Sequence, residues 1–417
     1  MKGEGPGLLI LPNLDRWVSQ WDQLVDLSPI PSPFLRSWWL IGAGEPQLRF
    51  LLVVEDDRLL GGLALQQGHR LGLPWLQMMG DGPLCPDHLD LLARTGHEDA
   101  VVKAVGDWLC RPGARILDLE GIRAGSRLIT ALPGRVRCEP LAVAPWVRLP
   151  TDVKVSTTGF GRTLRRASSR LTAEGATHRI NRGASAVRSL GAFRQLHSAQ
   201  WGDGSRFLPG WTRFAAACHL AADVDEVAVH ELVAGKTVIA IVIAFEVAGR
   251  VSLYQSARLT DSRWRDATMV LLAAIITDAR DRGFTEVDFL RGDEAYKDNF
   301  APQRRELLRL RAASGRTGRA VLVLETAVRT IGLQAARSVR IRRRVYERRT
   351  KTPVDRPPVT GPLSPFAGLP RVRWWPRSSS ARAWRVPWLA WRPPWPNRRD
   401  RTDPGAEGRD EGVGGER

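Results

Sequence analysis

The sequence predicts an α/β (α+β) protein with mixed sheets flanked by helices, followed by a disordered basic tail. Apolar runs of strand length alternate with segments of helical periodicity from residue 14 to about residue 315. These segments form two blocks with a similar order of elements, and the composition changes beyond Ser314. A chain of 417 residues is long enough for two domains with complete cores. We therefore place one domain at 1–150 and a second at 151–315.

The composition is that of a globular protein with a strong positive charge. Hydrophobic residues make up 43% of the chain, and the formal net charge is +18 with a pI near 11.0. The four cysteines are scattered without a C-x-x-C pair, so we expect neither a disulfide framework nor a metal site. No apolar run has the length of a signal-peptide core or a membrane-spanning helix. We therefore expect a cytoplasmic protein.

The two blocks contain recognisable helices, strands and turns. In the first block, the pattern predicts helices at 14–27 and 100–110, a β-hairpin at 48–65, and strands at 115–119 and 136–147. In the second block, the predicted helices are 161–174, 186–201, 211–222 and 266–282, and the predicted strands are 227–233, 237–247, 250–257, 286–289 and 306–312.

Two short segments, one in each block, are similar in sequence. The segments 111–121 and 281–292 both run through a glycine stop, a strand, an aspartate and a second glycine, with Asp118 and Asp288 in equivalent places. The first copy has no counterpart of Tyr296-Lys297. This pattern indicates an internal duplication in which the second block carries the chemistry, while the aspartate and glycine belong to the fold.

The end of the chain has a different character. Residues 316–349 are predicted to form an Arg-rich helix, and residues 350–417 combine Pro, Arg, Ser, Gly and Trp without a sustained period. Such a tail can remain solvated, contact an anionic membrane surface, or contact nucleic acid. We favour the solvated tail, keep peripheral membrane contact as an alternative, and do not expect a nucleic-acid partner.

The densest group of polar side chains lies at residues 288–300, directly after a predicted strand. Strand ends that pass into Gly-containing loops are common positions for chemistry, but Asp-Gly loops are also ordinary turns. The common signatures G-x-x-x-x-G-K-[ST] and G-x-S-x-G are missing from the sequence, as is G-x-G-x-x-G after a strand. The segment therefore allows either a functional loop or a solvated turn.

Several motifs of the chain resemble one known superfamily. They are Leu164-Arg165-Arg166 through Gly175, Leu196-His197 through Trp201, the strand at 238–245, and Asp288-Phe289 through Gly292 and Tyr296-Lys297. Over residues 14–315 the chain resembles the GNAT acyltransferases, in the branch similar to CelD-type proteins of cellulose and polysaccharide biosynthesis. The resemblance implies two tandem GNAT-like folds, as in the Fem peptidyltransferases.

This resemblance implies transfer of an acyl group from acetyl-CoA or another acyl-CoA to an amine. The CoA pyrophosphate is then expected at the start of the helix that follows residue 262, because helix N-termini bind phosphate. The residues implied for the cofactor are Arg263, Arg265, Asp266 and Thr268. This sequence departs from the family pattern there, because the segment contains no glycine. Arginine side chains would have to bind the phosphates instead.

The resemblance also implies roles for the polar residues around the 288–300 loop. The implied catalytic residues are Asp288, Asp293, Tyr296 and Lys297, and the implied substrate-binding residues are Arg165, Arg166, Trp201, Gln255 and Arg291. Each has an ordinary alternative: Tyr296 as a core aromatic, Lys297 as a loop lysine, and Asp288 as a residue that holds the strand end. The two arginines of the basic helix are equally well explained as a solvated face.

The resulting hypothesis is a cytoplasmic N-acyltransferase for a small amine such as an amino sugar or amino acid, in polysaccharide or cell-envelope biosynthesis. One alternative is a Fem-like aminoacyl transferase that uses aminoacyl-tRNA. The other is a non-catalytic scaffold at the inner face of the membrane, held there by the basic tail.

Overall fold

The computed structural model describes residues 5–45, 47–132, 136–150, 159–324 and 327. The strands are β1 (Gly7–Leu11), β2 (Leu48–Glu55), β3 (Arg58–Arg70), β4 (Leu73–Met78), β5 (Leu92–Ala93), β6 (Arg115–Arg123), β7 (Arg137–Arg148), β8 (Ala176–Arg182), β9 (Val227–Ala234), β10 (Thr237–Val247), β11 (Arg250–Arg258), β12 (Glu286–Asp288) and β13 (Gln303–Ser314). The helices are α1 (Val18–Asp26), α2 (Ser37–Ala43), α3 (Glu98–Leu109), α4 (Leu128–Ala131), α5 (Gly159–Ala173), α6 (Gly183–Trp201), α7 (Trp211–Asp223) and α8 (Ala267–Asp281).

One mixed sheet runs through the described part of the chain. Its strand order is β1-β2-β3-β4-β6-β13-β7-β12-β11-β10-β9-β8, with β5 paired to β3. Most neighbours are antiparallel, whereas β4 with β6 and β11 with β12 are parallel. Helices flank the sheet, so the predicted α/β class with a mixed sheet is confirmed. Among the described residues, no helix is long and apolar enough to cross a membrane.

The apolar core divides into two clusters on opposite faces of the second-half sheet. The larger cluster joins the first half to α6, α7 and one face of β10, including Phe193, Phe214 and Phe245. The smaller cluster packs α8 and α5 against the other face of β10 and β11, including Val242 and Leu253. Alternate residues of one strand therefore supply both cores, as the two-residue period of a strand requires.

The two halves exchange their last strands at the centre of the sheet. Strand β7 follows β6 in sequence but pairs with β12, and β13 follows β12 but pairs with β6. Strands β7 and β13 also pair with each other from Arg137–Arg311 to Trp146–Gln303. Each half of the sheet is thus completed by a strand that belongs, in sequence, to the other half.

The structure contains four strands outside those that the sequence predicts: β1, β4, β5 and β8. Strands β1 and β8 form the two edges of the sheet, and most of their side chains are half-buried or exposed. Strand β5 has only two residues. Edge strands and very short strands give a weak local signal, which explains the omission. Residues 315–324 are helical. The remainder of the predicted basic helix and the tail at 350–417 lie outside the described residues, apart from position 327.

A cluster of buried charges holds the end of β12, and we call Asp288, Arg250, His88 and Arg305 the Asp288 cluster. Asp288 is fully buried; it accepts a short bond from Arg250 and lies 3.0 Å from His88 Nε2 and 3.2 Å from Arg305 Nη1. The backbone N–H of Leu290 also donates to Asp288 Oδ1 at 2.6 Å. Burial opposes ionisation, but Arg250 and His88 outweigh it and hold the pKa of Asp288 well below its usual range.

We expect Asp288→Asn to lower the free energy of unfolding by about 3–5 kcal/mol, because it removes a fully buried charge from an ion cluster and leaves Arg250 with Glu286 alone. Asp293→Asn is the matched control, since Asp293 is exposed and pairs with a half-exposed Arg304. That exposed pair contributes about 0–1 kcal/mol. Urea denaturation of both variants measures the difference, and equal losses would contradict a structural role for the cluster.

Candidate functional site

A cleft opens where the parallel strands β11 and β12 separate. They pair only at three positions, from Arg250–Glu286 to Ser252–Asp288. Beyond Ser252, no strand of the described chain pairs with this edge of β11. The register between β10 and β11 also shifts between Ile243 and Ala244, so that Tyr254 is the additional residue of a β-bulge. The divergence leaves backbone amides of β11 facing an open space.

A cavity of about 630 Å³ occupies this cleft. Part of its wall comes from the apolar cluster on the α6 and α7 side, and part from the cluster on the α8 side. The cavity therefore has walls on both faces of the sheet. Its lining is Leu84, Cys85, Asp87, His197, Trp201, Gly204, Ser205, Arg206, Phe207, Val242, Leu253, Tyr254, Gln255, Ser256, Leu272, Phe289, Leu290, Arg291, Glu294, Tyr296 and Lys297.

Lys297 fixes the loop that forms one wall of the cavity. Lys297 is only 5% exposed. Its Nζ donates to the carbonyl oxygens of Phe289, Leu290 and Arg291 at 3.2, 3.4 and 3.0 Å. Glu294 Oε2 lies 3.0 Å from the same nitrogen. An ammonium group has three donors, and here each has an acceptor in the loop. Lys297 therefore acts as a clamp that folds residues 289–297 back on themselves.

Gly292 is required for this clamp. Its φ is +133°, a conformation that side chains rarely adopt. A Cβ at this position would lie 2.2 Å from Glu294 Oε2 and 2.7 Å from Lys297 Nζ. The spacing of glycine and lysine in this segment therefore follows from the close approach of the ammonium group to the backbone.

Arg291 connects the loop to the first half of the chain. Its Nε and backbone N–H donate to the buried Asp87 at 2.5 and 2.7 Å, and its Nη2 donates to Pro86 O at 2.7 Å. Gly121, with a φ of +74°, makes room for this contact, because a Cβ there would meet Pro86 O at 2.3 Å and Arg291 at 3.1 Å. The cavity wall thus depends on residues from both halves.

The structure brings five of the predicted site residues to the cavity wall. They are Trp201, Gln255, Arg291, Tyr296 and Lys297. Burial and the nearby charge of Glu294 raise the pKa of Tyr296 far above its usual value, so its phenol is protonated at neutral pH. Arg291 and Lys297 use their donors on the protein itself, as described above.

The other predicted catalytic and substrate-binding residues do not line the cavity. Asp288 is buried behind it in the Asp288 cluster, and Asp293 is exposed and bound to Arg304 at 2.7 Å. Arg165 and Arg166 are exposed on α5. That helix crosses the α8 side of the molecule, where Phe160 packs edge-on against Phe300 with ring centroids 5.3 Å apart.

The predicted cofactor residues lie at the start of α8 and also do not line the cavity: Arg263, Arg265, Asp266 and Thr268. Side-chain ion pairs occupy this region. Arg170 of α5 donates to the largely buried Asp266 at 2.9 Å, and Arg263 donates to Glu174 at 2.6 Å. Residues 263–268, which contain no glycine, therefore belong to a network of ion pairs between α5 and the start of α8.

Several polar residues of the cavity wall were not predicted from the sequence, among them His197, Ser205 and Tyr254. His197 Nε2 lies 2.9 Å from Ser205 Oγ, and burial lowers the pKa of His197. The Tyr254 hydroxyl donates to Leu84 O at 2.5 Å, and burial raises the pKa of Tyr254 well above its usual value. The signal for His197 was its place in the Leu196–Trp201 motif, where a histidine on an amphipathic helix resembles a core residue.

Among the described residues, no group of three or more His, Cys, Asp or Glu side chains is placed to hold a metal ion.

Comparison with known proteins finds one family model similar to the second half. Residues 159–298 match the model described as an acetyltransferase (GNAT) domain. This part of the chain is therefore similar to GNAT acetyltransferase domains, in line with the resemblance that the sequence shows. No curated protein matches the chain.

Several solved structures are similar to parts of this chain at low sequence identity. L-PGS from Bacillus licheniformis is 12% identical, with 75% of this chain and 96% of that chain covered and a TM-score of 0.49. FemX is 8% identical, with 69% and 95% covered and a TM-score of 0.48. A tandem GNAT protein from the clavulanic acid biosynthesis pathway is 13% identical, with 74% and 99% covered and a TM-score of 0.41.

We expect Lys297→Met to destabilise the protein by about 2–4 kcal/mol, because buried carbonyl groups lose their donor. The loop at 289–297 should also lose protection of its amides against hydrogen exchange. Lys236→Met is the matched control, because Lys236 is exposed in the turn between β9 and β10 and should change neither quantity. Unchanged protection in Lys297→Met would show that the clamp is not needed to order the loop.

Asp81 gives a pH-dependent prediction next to the same loop. Burial and the nearby charge of Glu120 raise the pKa of Asp81 to about 6. Because the folded-state pKa lies above the unfolded value, this group contributes stability at low pH and loses it as pH rises from about 4 to about 6. Relative to Asp81→Asn, the wild type should lose about 2–3 kcal/mol across that interval. Denaturant titrations at several pH values test this, and parallel curves would contradict it.

Proposed function

We propose that the chain is an N-acyltransferase that joins an acyl donor and an amine acceptor within the cleft between β11 and β12. The observation that supports this is the cavity, whose wall combines side chains of the α8 side with side chains of the α6 and α7 side. Our proposal is that the donor binds on the α8 side and the acceptor on the other side, so that the two substrates meet between the strands. Binding both in one orientation converts a bimolecular reaction into an effectively unimolecular one.

The exposed edge of β11 supplies the electrostatic part of the reaction. When an amine attacks an acyl carbon, negative charge develops on the carbonyl oxygen, and fixed backbone N–H groups stabilise that charge. The amides beyond Ser252 are not used in a parallel ladder with β12. The proposed reaction places the donor carbonyl at this edge, with the leaving group on the α8 side.

Acyl-CoA is the proposed donor, and the proposed acceptor is a small amine such as an amino sugar or amino acid. Trp201 and Phe207 offer aromatic surfaces on the acceptor side, and Gln255 offers an amide that can orient a polar ring. We place the reaction in polysaccharide or cell-envelope biosynthesis, on the resemblance of the Asp288–Lys297 segment to CelD-type proteins. The protonated Tyr296 lies on the donor side, where it can return a proton to the departing thiolate.

We expect the folded protein to bind acetyl-CoA or a longer acyl-CoA in calorimetry and to release free thiol when an acceptor amine is present. Ser256→Trp fills the cavity and should reduce transfer at least about tenfold, because it displaces the reacting groups. Ser198→Trp, on the exposed face of α6, is the matched control and should retain transfer. Thiol release that is independent of amine, or equal activity in both variants, would contradict the proposal.

A second candidate is an aminoacyl transferase that takes its acyl group from aminoacyl-tRNA. It is favoured by one observation: the start of α8 is closed by ion pairs, while Arg162, Arg165 and Arg166 are exposed on the adjacent α5. Basic side chains at that position suit a phosphodiester backbone. Failure of every acyl-CoA to bind, together with salt-sensitive binding of aminoacyl-tRNA that weakens in Arg166→Glu, would favour this donor over CoA.

A further inference from the structure

His197 and Ser205 form a polar pair in an otherwise aromatic part of the cavity wall. His197 is 5% exposed, and its ring packs against Phe193, Trp201 and Phe207 with centroids 5.4–6.4 Å apart. Both members of the pair line the cavity. Ser205 is half-buried and is therefore more accessible than the buried imidazole.

The hydrogen bonds around Ser205 allow its hydroxyl to donate to His197. The backbone N–H of Leu208 donates to Ser205 Oγ at 3.1 Å, and His197 Nε2 lies 2.9 Å from the same oxygen. When the hydroxyl donates to Nε2, the proton of the neutral imidazole is on Nδ1. His197 Nδ1 is buried without a hydrogen-bond partner among the described residues. In that tautomer the lone pair of Nε2 accepts from a hydroxyl that lines the cavity.

We propose that Ser205 and His197 form a proton relay for the acceptor amine, in which Ser205 contacts the amine and His197 receives the proton. As the amine nitrogen bonds to the acyl carbon, its proton moves to Ser205 Oγ, and the Ser205 hydroxyl proton moves to His197 Nε2. The carbon–sulfur bond of a thioester donor then breaks, and the thiolate leaves with the bonding electrons. His197 returns its proton to solvent. This inference rests on the proposed function.

The environment of His197 suits a proton acceptor. Burial lowers the pKa of His197, and it is the only cause of that shift, so the imidazole is neutral and able to accept a proton at neutral pH. Burial also raises the pKa of both Cys85 and Tyr254, which are therefore a thiol and a phenol at that pH. Neither group competes as a base.

The charged groups of the cavity wall are already engaged. Asp87 accepts two bonds from Arg291, and Glu294 lies against Lys297. Arg206, on the same loop as Ser205, is a cation and cannot accept a proton. Among the described residues that line the cavity, the relay therefore supplies a base that no ion pair neutralises.

The test compares Ser205→Ala and His197→Gln with controls that share their residue types. Ser198→Ala and His219→Gln alter exposed positions on α6 and α7 and should retain wild-type transfer. We expect each relay variant to lower kcat by about 10²–10³ with little change in KM, since general-base catalysis contributes about that much. The double variant should be no slower than the slower single variant, because the two residues act as one unit.

The pH dependence separates a relay from a structural role. With an acceptor whose amine is uncharged throughout the range, kcat/KM of the wild type should fall at acid pH as His197 becomes protonated, and this fall should disappear in His197→Gln. Nitrogen NMR of the ring should place the proton on Nδ1, and a proton on Nε2 would overturn the relay. Active protein with unaffected variants would overturn the relay alone, whereas wild-type protein that transfers no acyl group would overturn the proposed function and the relay with it.

Discussion

The buried carboxylate of Asp288 determines where the central strands separate. It binds Arg250 of β11 and Arg305 of β13, contacts His88 of the first half, and accepts the N–H of Leu290. Directly after β12 the chain leaves its neighbour β11 while it stays bonded to β7, because Gly292 N–H donates to Val143 O at 3.0 Å, and Leu290 has a φ of +53°. The cleft therefore begins next to the Asp288 cluster.

Asp118 of β6 repeats this chemistry in the first half. It is buried and accepts two bonds from Arg309, on the same strand β13 that carries Arg305. Strands β4 and β6 are also parallel over only a few residues. In this half, however, the loop that follows β4 lies beside β6, where its Leu89 forms a parallel β-bridge with Ile122. This loop occupies the space between β4 and β6. The cavity of the candidate site therefore lies at the β11–β12 pair.

The sequence was sufficient for the class of the fold, because strand and helix periods are local signals, and it singled out a loop that lines the cavity. It was not sufficient for the roles of individual residues. Lys297 contacts three carbonyl groups that only the folded loop brings together, and Arg291 meets an aspartate more than 200 positions earlier in the chain. His197 and Ser205 are close in sequence, but only the turn after α6 brings the hydroxyl oxygen within 2.9 Å of the imidazole.

The exchange of β7 and β13 between the two halves has a consequence for folding during synthesis on the ribosome. The first half emerges with its edge at β6 uncovered, and β13, the strand that covers it, is among the last described elements to be synthesised. An uncovered edge can pair with another chain. By contrast, β7 is ready before its partner β12 exists. The sheet can therefore be completed only after nearly the whole described chain has been synthesised. A prematurely terminated product would expose the unpaired edge of β6, which is prone to aggregate.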